Sequence, residues 1–156
     1  MELTDILEKA QWIKGILNIS QLGQEGGRAV ARILLGEAVP SGKLTTTWAK
    51  KYADVPFAEN FSYLNGNLEL EEYKEGIYVG YRYFDSFGVK PLFPFGFGLS
   101  YTDFKIQFCS IEIDKDKIAV NVSVENIGNT FAGREVVQVY VSLPRGRSRE
   151  RIPSPG

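Results

Sequence analysis

The sequence predicts an α/β layer followed by a partial all-β sandwich, with the change of architecture near residue 102. Three observations predict it. Helical and strand-like segments alternate over residues 5–47. A dense aromatic block, punctuated by Gly and Pro, fills residues 73–102. Beyond it the apolar period drops to two, the spacing of half-buried strands.

Asp5 is placed to cap a first helix, whose apolar positions Ile6, Leu7, Ala10 and Ile13 keep helical spacing up to Gly15. Ile16-Leu17-Asn18-Ile19 has the make-up of a short buried strand. The run Gly23-Gln24-Glu25-Gly26-Gly27 then opens a second helix, with Ala29, Val30, Ile33 and Leu34 on one face and Gly36 at the left-handed C-terminal cap. Pro40-Ser41-Gly42 reads as a turn and Lys43 to Thr47 as a strand. Such alternation signals an α/β sheet layer. Residues 50–75 lose periodicity and read as a long surface connection.

In the second half, Pro91 to Thr102 carries too many Gly and Pro residues for a regular helix and is expected to be pinned by its rings. Phe104, Ile106 and Phe108 then alternate with Lys105 and Gln107, and Asp114-Lys115-Asp116 marks a turn. Ile118, Val120, Val122 and Val124 form a second alternating run, closed by Asn126-Ile127-Gly128-Asn129. Val137, Val139 and Val141 form a third. Three amphipathic strands in succession point to a β-sandwich. Three strands do not close two layers, so their inner face lacks a partner.

Composition narrows the chemistry. The 156 residues contain no histidine, which removes Ser-His-Asp and Cys-His catalysis and His-ligated metal sites. Cys109 is the single cysteine, so no internal disulfide forms, and its strand-like surroundings predict a packed structural thiol. A formal net charge of −1 supplies no field for nucleic acid or an anionic membrane. Arg145, Arg147, Arg149 and Arg151 cluster at the far end and read as a solvated loop. No run is long and apolar enough to span a bilayer. No secretory leader is legible at Met1-Glu2-Leu3, and a chain complete as it stands is expected in the cytoplasm.

Several motifs, in order, resemble the signatures of family 3 glycoside hydrolases, the β-glucosidase-type enzymes. They are Gly23 to Gly27, Pro40-Ser41-Gly42-Lys43-Leu44, Glu75-Gly76-Ile77-Tyr78-Val79-Gly80-Tyr81-Arg82-Tyr83-Phe84-Asp85, and Pro94-Phe95-Gly96-Phe97-Gly98-Leu99-Ser100-Tyr101-Thr102-Asp103-Phe104. Val124-Glu125-Asn126 with Ala132-Gly133-Arg134-Glu135 and the run to Val141 resembles the fibronectin type III-like, immunoglobulin-like domain that ends many members. The resemblance implies that residues 1–102 are the end of an α/β sandwich domain and residues 103–156 the beginning of a fibronectin type III-like sandwich. It also implies a retaining two-carboxylate mechanism in the parent enzyme. There the nucleophilic Asp belongs to an N-terminal barrel and the acid/base Glu lies upstream of the Gly-Gln-Glu-Gly-Gly motif. No catalytic, cofactor-binding or metal-binding residue is therefore carried onto this chain, and no cofactor is implied. The partners implied are β-glucosides reached through the parent enzyme, the missing barrel and α/β portion, and a second copy through open sheet edges.

The remaining carboxylates have plain structural readings. Glu25 stands before a helix, where it is expected to accept backbone N–H bonds. Asp85 beside Arg82 is expected to form an ion pair or turn contact, and Glu75 is the nearest candidate to accompany it as a catalytic pair. The clusters Gly23 to Gly27 and Gly96 to Gly98 lack the Lys-Ser/Thr of a phosphate loop. Trp12, Trp48, Tyr78, Tyr81, Tyr83 and the phenylalanines are for the most part expected to pack, with sugar stacking as the other use of such rings. The rival reading is a stand-alone carbohydrate-binding or protein-interaction module.

Overall fold

The computed structural model describes residues 3–10, 12–61 and 66–142. Its elements are α1 (Leu3–Lys9), α2 (Gly26–Leu34), α3 (Tyr81–Phe87), β1 (Phe104–Asp114) and β2 (Lys117–Asn126), with 3-10 turns at Tyr52–Asp54 and Ala58–Asn60. The sole sheet among the described residues is the antiparallel pair β1–β2. No described helix is long and apolar enough to cross a membrane. The chain divides into two units, Met1–Ile16 with Leu44–Phe97 and Val139–Gly156, and Leu17–Lys43 with Gly98–Gln138.

In the first unit α1 ends at Lys9, short of the expected Gly15. The Ala10 N–H closes its last turn on Ile6 O at 2.9 Å, and Thr4 Oγ1 donates to Lys50 O at 3.0 Å. The predicted strand at Lys43 to Thr47 is instead an extended stretch fastened at two points. Leu44 N–H donates to Phe97 O and Gly96 N–H to Leu44 O, both at 2.8 Å, and Trp48 bridges to Phe93. A left-handed Gly96 (φ 79°) turns the opposing segment before a ladder can propagate.

The aromatic block contains a helix that periodicity did not predict. α3 starts after Gly80, buries Phe84 and ends on left-handed Gly88, beyond which Val89 N–H bonds back to Phe84 O at 3.0 Å. Its rings pack edge-on or tilted: Tyr78 on Phe87 (5.1 Å), Tyr83 on Phe87 (5.0 Å) and Tyr81 on both Phe95 (5.7 Å) and Tyr140 (5.5 Å). Phe93 stacks on Phe97 at 4.8 Å. The expectation that these rings pack is met for Trp48, Tyr78, Tyr81 and Tyr83, whereas Trp12, Phe61 and Phe108 stand largely exposed.

In the second unit α2 ends as expected. Gly36 is left-handed (φ 74°), its N–H reaches Ile33 O at 3.0 Å, and Glu37 N–H reaches Arg32 O at 2.8 Å. This is the paired bonding that satisfies the last helical carbonyls. The segment Ile16 to Ile19 is irregular and exposed, because a buried strand needs neighbours on its flanks and no described strand adjoins it.

The hairpin carries a bulge. Phe108 pairs with Val122 and Ser110 with Asn121, leaving Cys109 as the extra residue. Parity therefore shifts, so that Phe104, Ile106, Phe108, Ile111 and Ile113 share one face with Ile118, Val120, Val122 and Val124. That face is open: Phe108 is 67% exposed. The same bulge turns Cys109 out to solvent, correcting the packed thiol expected from its sequence context. The third predicted strand, around Val137 to Val141, is absent from the described residues, since alternation forms a strand only where a neighbour accepts its hydrogen bonds. Among the described residues few side chains are buried, chiefly Ala58, Phe84 and Thr102, and no large one completely. The arginine run from Arg145 to Arg151 lies outside the described residues.

Turn chemistry at the hairpin tip is suboptimal. Lys115 has φ 50°, a conformation that glycine adopts without steric cost. Replacing Lys115 by Gly is expected to stabilise the chain by about 0.5–1 kcal/mol, measured as a higher urea midpoint.

Candidate functional site

The most enclosed ion pair among the described residues lies within the second unit. Lys43 follows the turn at Pro40-Ser41-Gly42, and Glu135 follows Gly133. Their side chains are each 15% exposed. Lys43 Nζ lies 3.0 Å from Glu135 Oε1 and 3.1 Å from Oε2, and it donates to Gly98 O at 2.8 Å. Val136 N–H donates to Glu135 Oε1 at 2.8 Å, and Arg134 N–H donates to Ser41 Oγ at 3.2 Å. Gly98 has to be glycine here, because a Cβ would run into Gly42 O and the Lys43 side chain.

This wiring lowers the pKa of Glu135 from its ordinary 4.5. The Val136 N–H is the main cause. Partial burial opposes it, and the Lys43 ammonium reinforces it. A carboxyl so held stays ionised, whereas a general acid at neutral pH needs its pKa raised. The cluster is a clasp joining three loop segments, with its carboxyl held as the anion.

A second polar knot ties the hairpin base. Thr102, 7% exposed, donates from Oγ1 to Asn126 Oδ1 at 2.6 Å. The same oxygen accepts Gly128 N–H at 3.0 Å, and Asn126 Nδ2 donates to Phe131 O at 2.9 Å. Ile127 N–H completes the turn on Asp103 O at 2.9 Å.

The carboxylates weighed from sequence are not assembled into a site. Glu25 precedes α2 but makes no side-chain cap. It faces Arg28 at 3.7 Å, with side chains 79% and 77% exposed, a pair worth little in water. Its expected backbone bonds are absent because it sits at φ −87° and ψ 11°, outside the extended conformation that aims a capping side chain at the helix. Asp85 and Arg82 both lie on α3 but form no ion pair, and the Arg82 guanidinium instead lies 5.8 Å from the Tyr81 ring centre. Glu75 belongs to the preceding turn, where its carbonyl accepts Tyr78 N–H at 2.9 Å. Neither hydrogen bond nor ion pair links Glu75 to Asp85 among the described residues. No three described Cys, Asp or Glu side chains are grouped to hold a metal ion.

Sequence reading missed the clasp as a unit. Lys43 and Glu135 each fall within a recognisable motif, but they are distant in the chain and no local spacing connects them.

The comparisons with known proteins agree on one group. The family model described as glycosyl hydrolase family 3 C-terminal domain matches residues 1–81. A β-glucosidase from Kluyveromyces marxianus is 46% identical over 120 residues, covering 77% of this chain and 14% of that protein. Thermostable beta-glucosidase B of Acetivibrio thermocellus is 45% identical over 137 residues, covering 83% of this chain and 17% of the relative. Among solved structures, beta-glucosidase 3B from Thermotoga neapolitana, in complex with glycerol, superposes with a TM-score of 0.70 at 42% identity, over 79% of this chain and 17% of that one. This chain thus spans only a small part of the length of the relatives it matches.

Proposed function

Because this chain belongs to glycosyl hydrolase family 3, we propose that it serves as a non-catalytic C-terminal portion of a β-glucosidase-type enzyme. In this reading the parent hydrolyses β-O-glycosidic bonds by a retaining mechanism and draws both carboxylates from elsewhere. Residues 1–102 end its α/β sandwich domain, and residues 103–156 begin a fibronectin type III-like domain. The described part contributes a scaffold: the aromatic packing around α3 and the Lys43–Glu135 clasp hold loops in place.

One observation carries the reading. Glu135, the most enclosed carboxylate in an ion pair among the described residues, is fastened as an anion by Lys43 and Val136, with no second described carboxylate bonded to it or to its partners. Retaining hydrolysis needs two carboxyl groups about 5–5.5 Å apart, one of them able to donate a proton. The open apolar face of the hairpin supports the same reading, since such a face is covered by further structure in a complete sandwich.

The test is direct. The purified chain, incubated with a chromogenic aryl β-glucoside, is expected to give no turnover above the buffer blank. Turnover that disappears in Glu135→Gln, Glu25→Gln or Asp85→Asn would overturn the proposal. Glucose binding without turnover, seen by calorimetry, would favour the stand-alone binding module instead.

A further inference from the structure

Within the second unit, the chain from Phe131 to Val136 lies across Tyr101 to Phe104. Phe131 packs on Tyr101 with ring centres 5.9 Å apart. Gly133 comes so close that a Cβ there would stand 3.1 Å from Thr102 Cγ2 and 3.2 Å from Phe104 Cζ. Arg134 N–H then reaches Ser41 Oγ, and Lys43 takes Glu135. This crossing is part of what leaves Thr102 only 7% exposed.

The two fastenings of the segment differ in kind. At its start, Asn126 Nδ2 holds Phe131 O at 2.9 Å, and Asn126 itself pairs with Phe104 at the end of the β1–β2 ladder. Ile127 N–H on Asp103 O carries backbone bonding one step beyond that pair. Releasing this end therefore means fraying the ladder. At the far end every bond between segments runs through a side chain: Ser41 Oγ accepts Arg134 N–H, and Lys43 Nζ donates to Glu135 and to Gly98 O. Such bonds open by rotation about side-chain torsions, and no ladder bond has to break with them. Lys43 and Glu135 keep 15% of their side-chain surface in water, so solvent reaches the charges as they part.

We propose that residues 132–136 form a strap over Thr102 and Phe104 that opens locally, with the Lys43–Glu135 clasp as its release point and the Asn126–Phe131 bond as its fixed end. Closed, the strap shields the Thr102 methyl and the edge of the Phe104 ring. Open, the ammonium and the carboxylate recover their hydration, which offsets most of the lost attraction, while the hairpin and its knot stay intact. Gly133, next to the fixed end, supplies the backbone freedom where the strap bends.

Native-state hydrogen exchange on the full chain, followed by NMR at rising sub-denaturing urea, tests the strap. The Arg134 amide reports the release point. The Ile127 amide and the cross-strand amides of β1–β2 report the fixed end. In wild type, Arg134 is expected to open with little dependence on urea, because a small opening exposes little surface, whereas opening of the hairpin amides rises steeply. Lys43→Met is expected to bring Arg134 within about threefold of an unprotected amide's rate, and Glu135→Gln to speed it about tenfold, with Ile127 and the hairpin still protected. An Arg134 amide that shares the urea slope of the hairpin in wild type would mean that the clasp opens only on unfolding, and overturns the proposal. So does an Ile127 amide that loses its protection along with Arg134 in Glu135→Gln, or an Arg134 amide indifferent to both substitutions.

Discussion

Lys43→Met is expected to destabilise the chain by about 2–3 kcal/mol, because it leaves the Glu135 carboxylate largely buried with no counter-charge and deprives Gly98 O of its donor. Glu135→Gln is expected to cost less, about 1 kcal/mol, since the amide oxygen still accepts Val136 N–H. The two substitutions share a partner and are not additive. Urea unfolding of the single and double variants measures the coupling. The pH dependence has a definite sign. The folded carboxyl titrates below its ordinary value of 4.5, so the unfolded chain binds more protons in the acid range and stability rises with pH there. The contribution is fully present above 4.5 and is lost as the pH falls through the lower folded value. The difference in stability between wild type and Glu135→Gln is therefore expected to be level near neutrality and to shrink under acid. A difference that grows on acidification would contradict the assignment.

Asn126→Ala is the second large effect, expected at about 2 kcal/mol. It strands the buried Thr102 hydroxyl and releases the Gly128 N–H and Phe131 carbonyl together. Adding Thr102→Val removes the orphaned hydroxyl and is expected to recover part of the loss, because eliminating both partners of a buried bond costs less than eliminating one. The urea midpoints of the two single variants and the double variant test this. A double variant that merely sums the single effects would place the strain elsewhere.

The legible parts of this chain were those written in short-range pattern. The helix over Ala29, Val30, Ile33 and Leu34 and its stop at Gly36 follow from 3.6-residue spacing and a left-handed cap. The turn at Asp114-Lys115-Asp116 and the strands beside it follow from alternation. What failed was structure that depends on a neighbour. Ile16 to Ile19 and Val137 to Val141 have strand composition, yet a strand exists only where another backbone meets its hydrogen bonds. α3 was hidden because aromatic content and bounding glycines mask its period, and ring packing decides its conformation. The bulge at Cys109 could have been read: Phe108 and Ile111 break strict alternation while Ile118 to Val124 keep it, so one strand must hold an extra residue for the faces to agree. The clasp was not legible, because an ion pair between distant segments leaves no periodic trace.

That extra residue also governs how the strand tolerates changes of length. Shortening the chain by one at Cys109 would remove the slack and leave every apolar side chain of β1 on its present side. The same deletion within β2 would invert all positions beyond it, exchanging oily and wetted surfaces across the remaining ladder. One strand of the hairpin can thus lose a residue at a defined point, while its neighbour is locked to a fixed count.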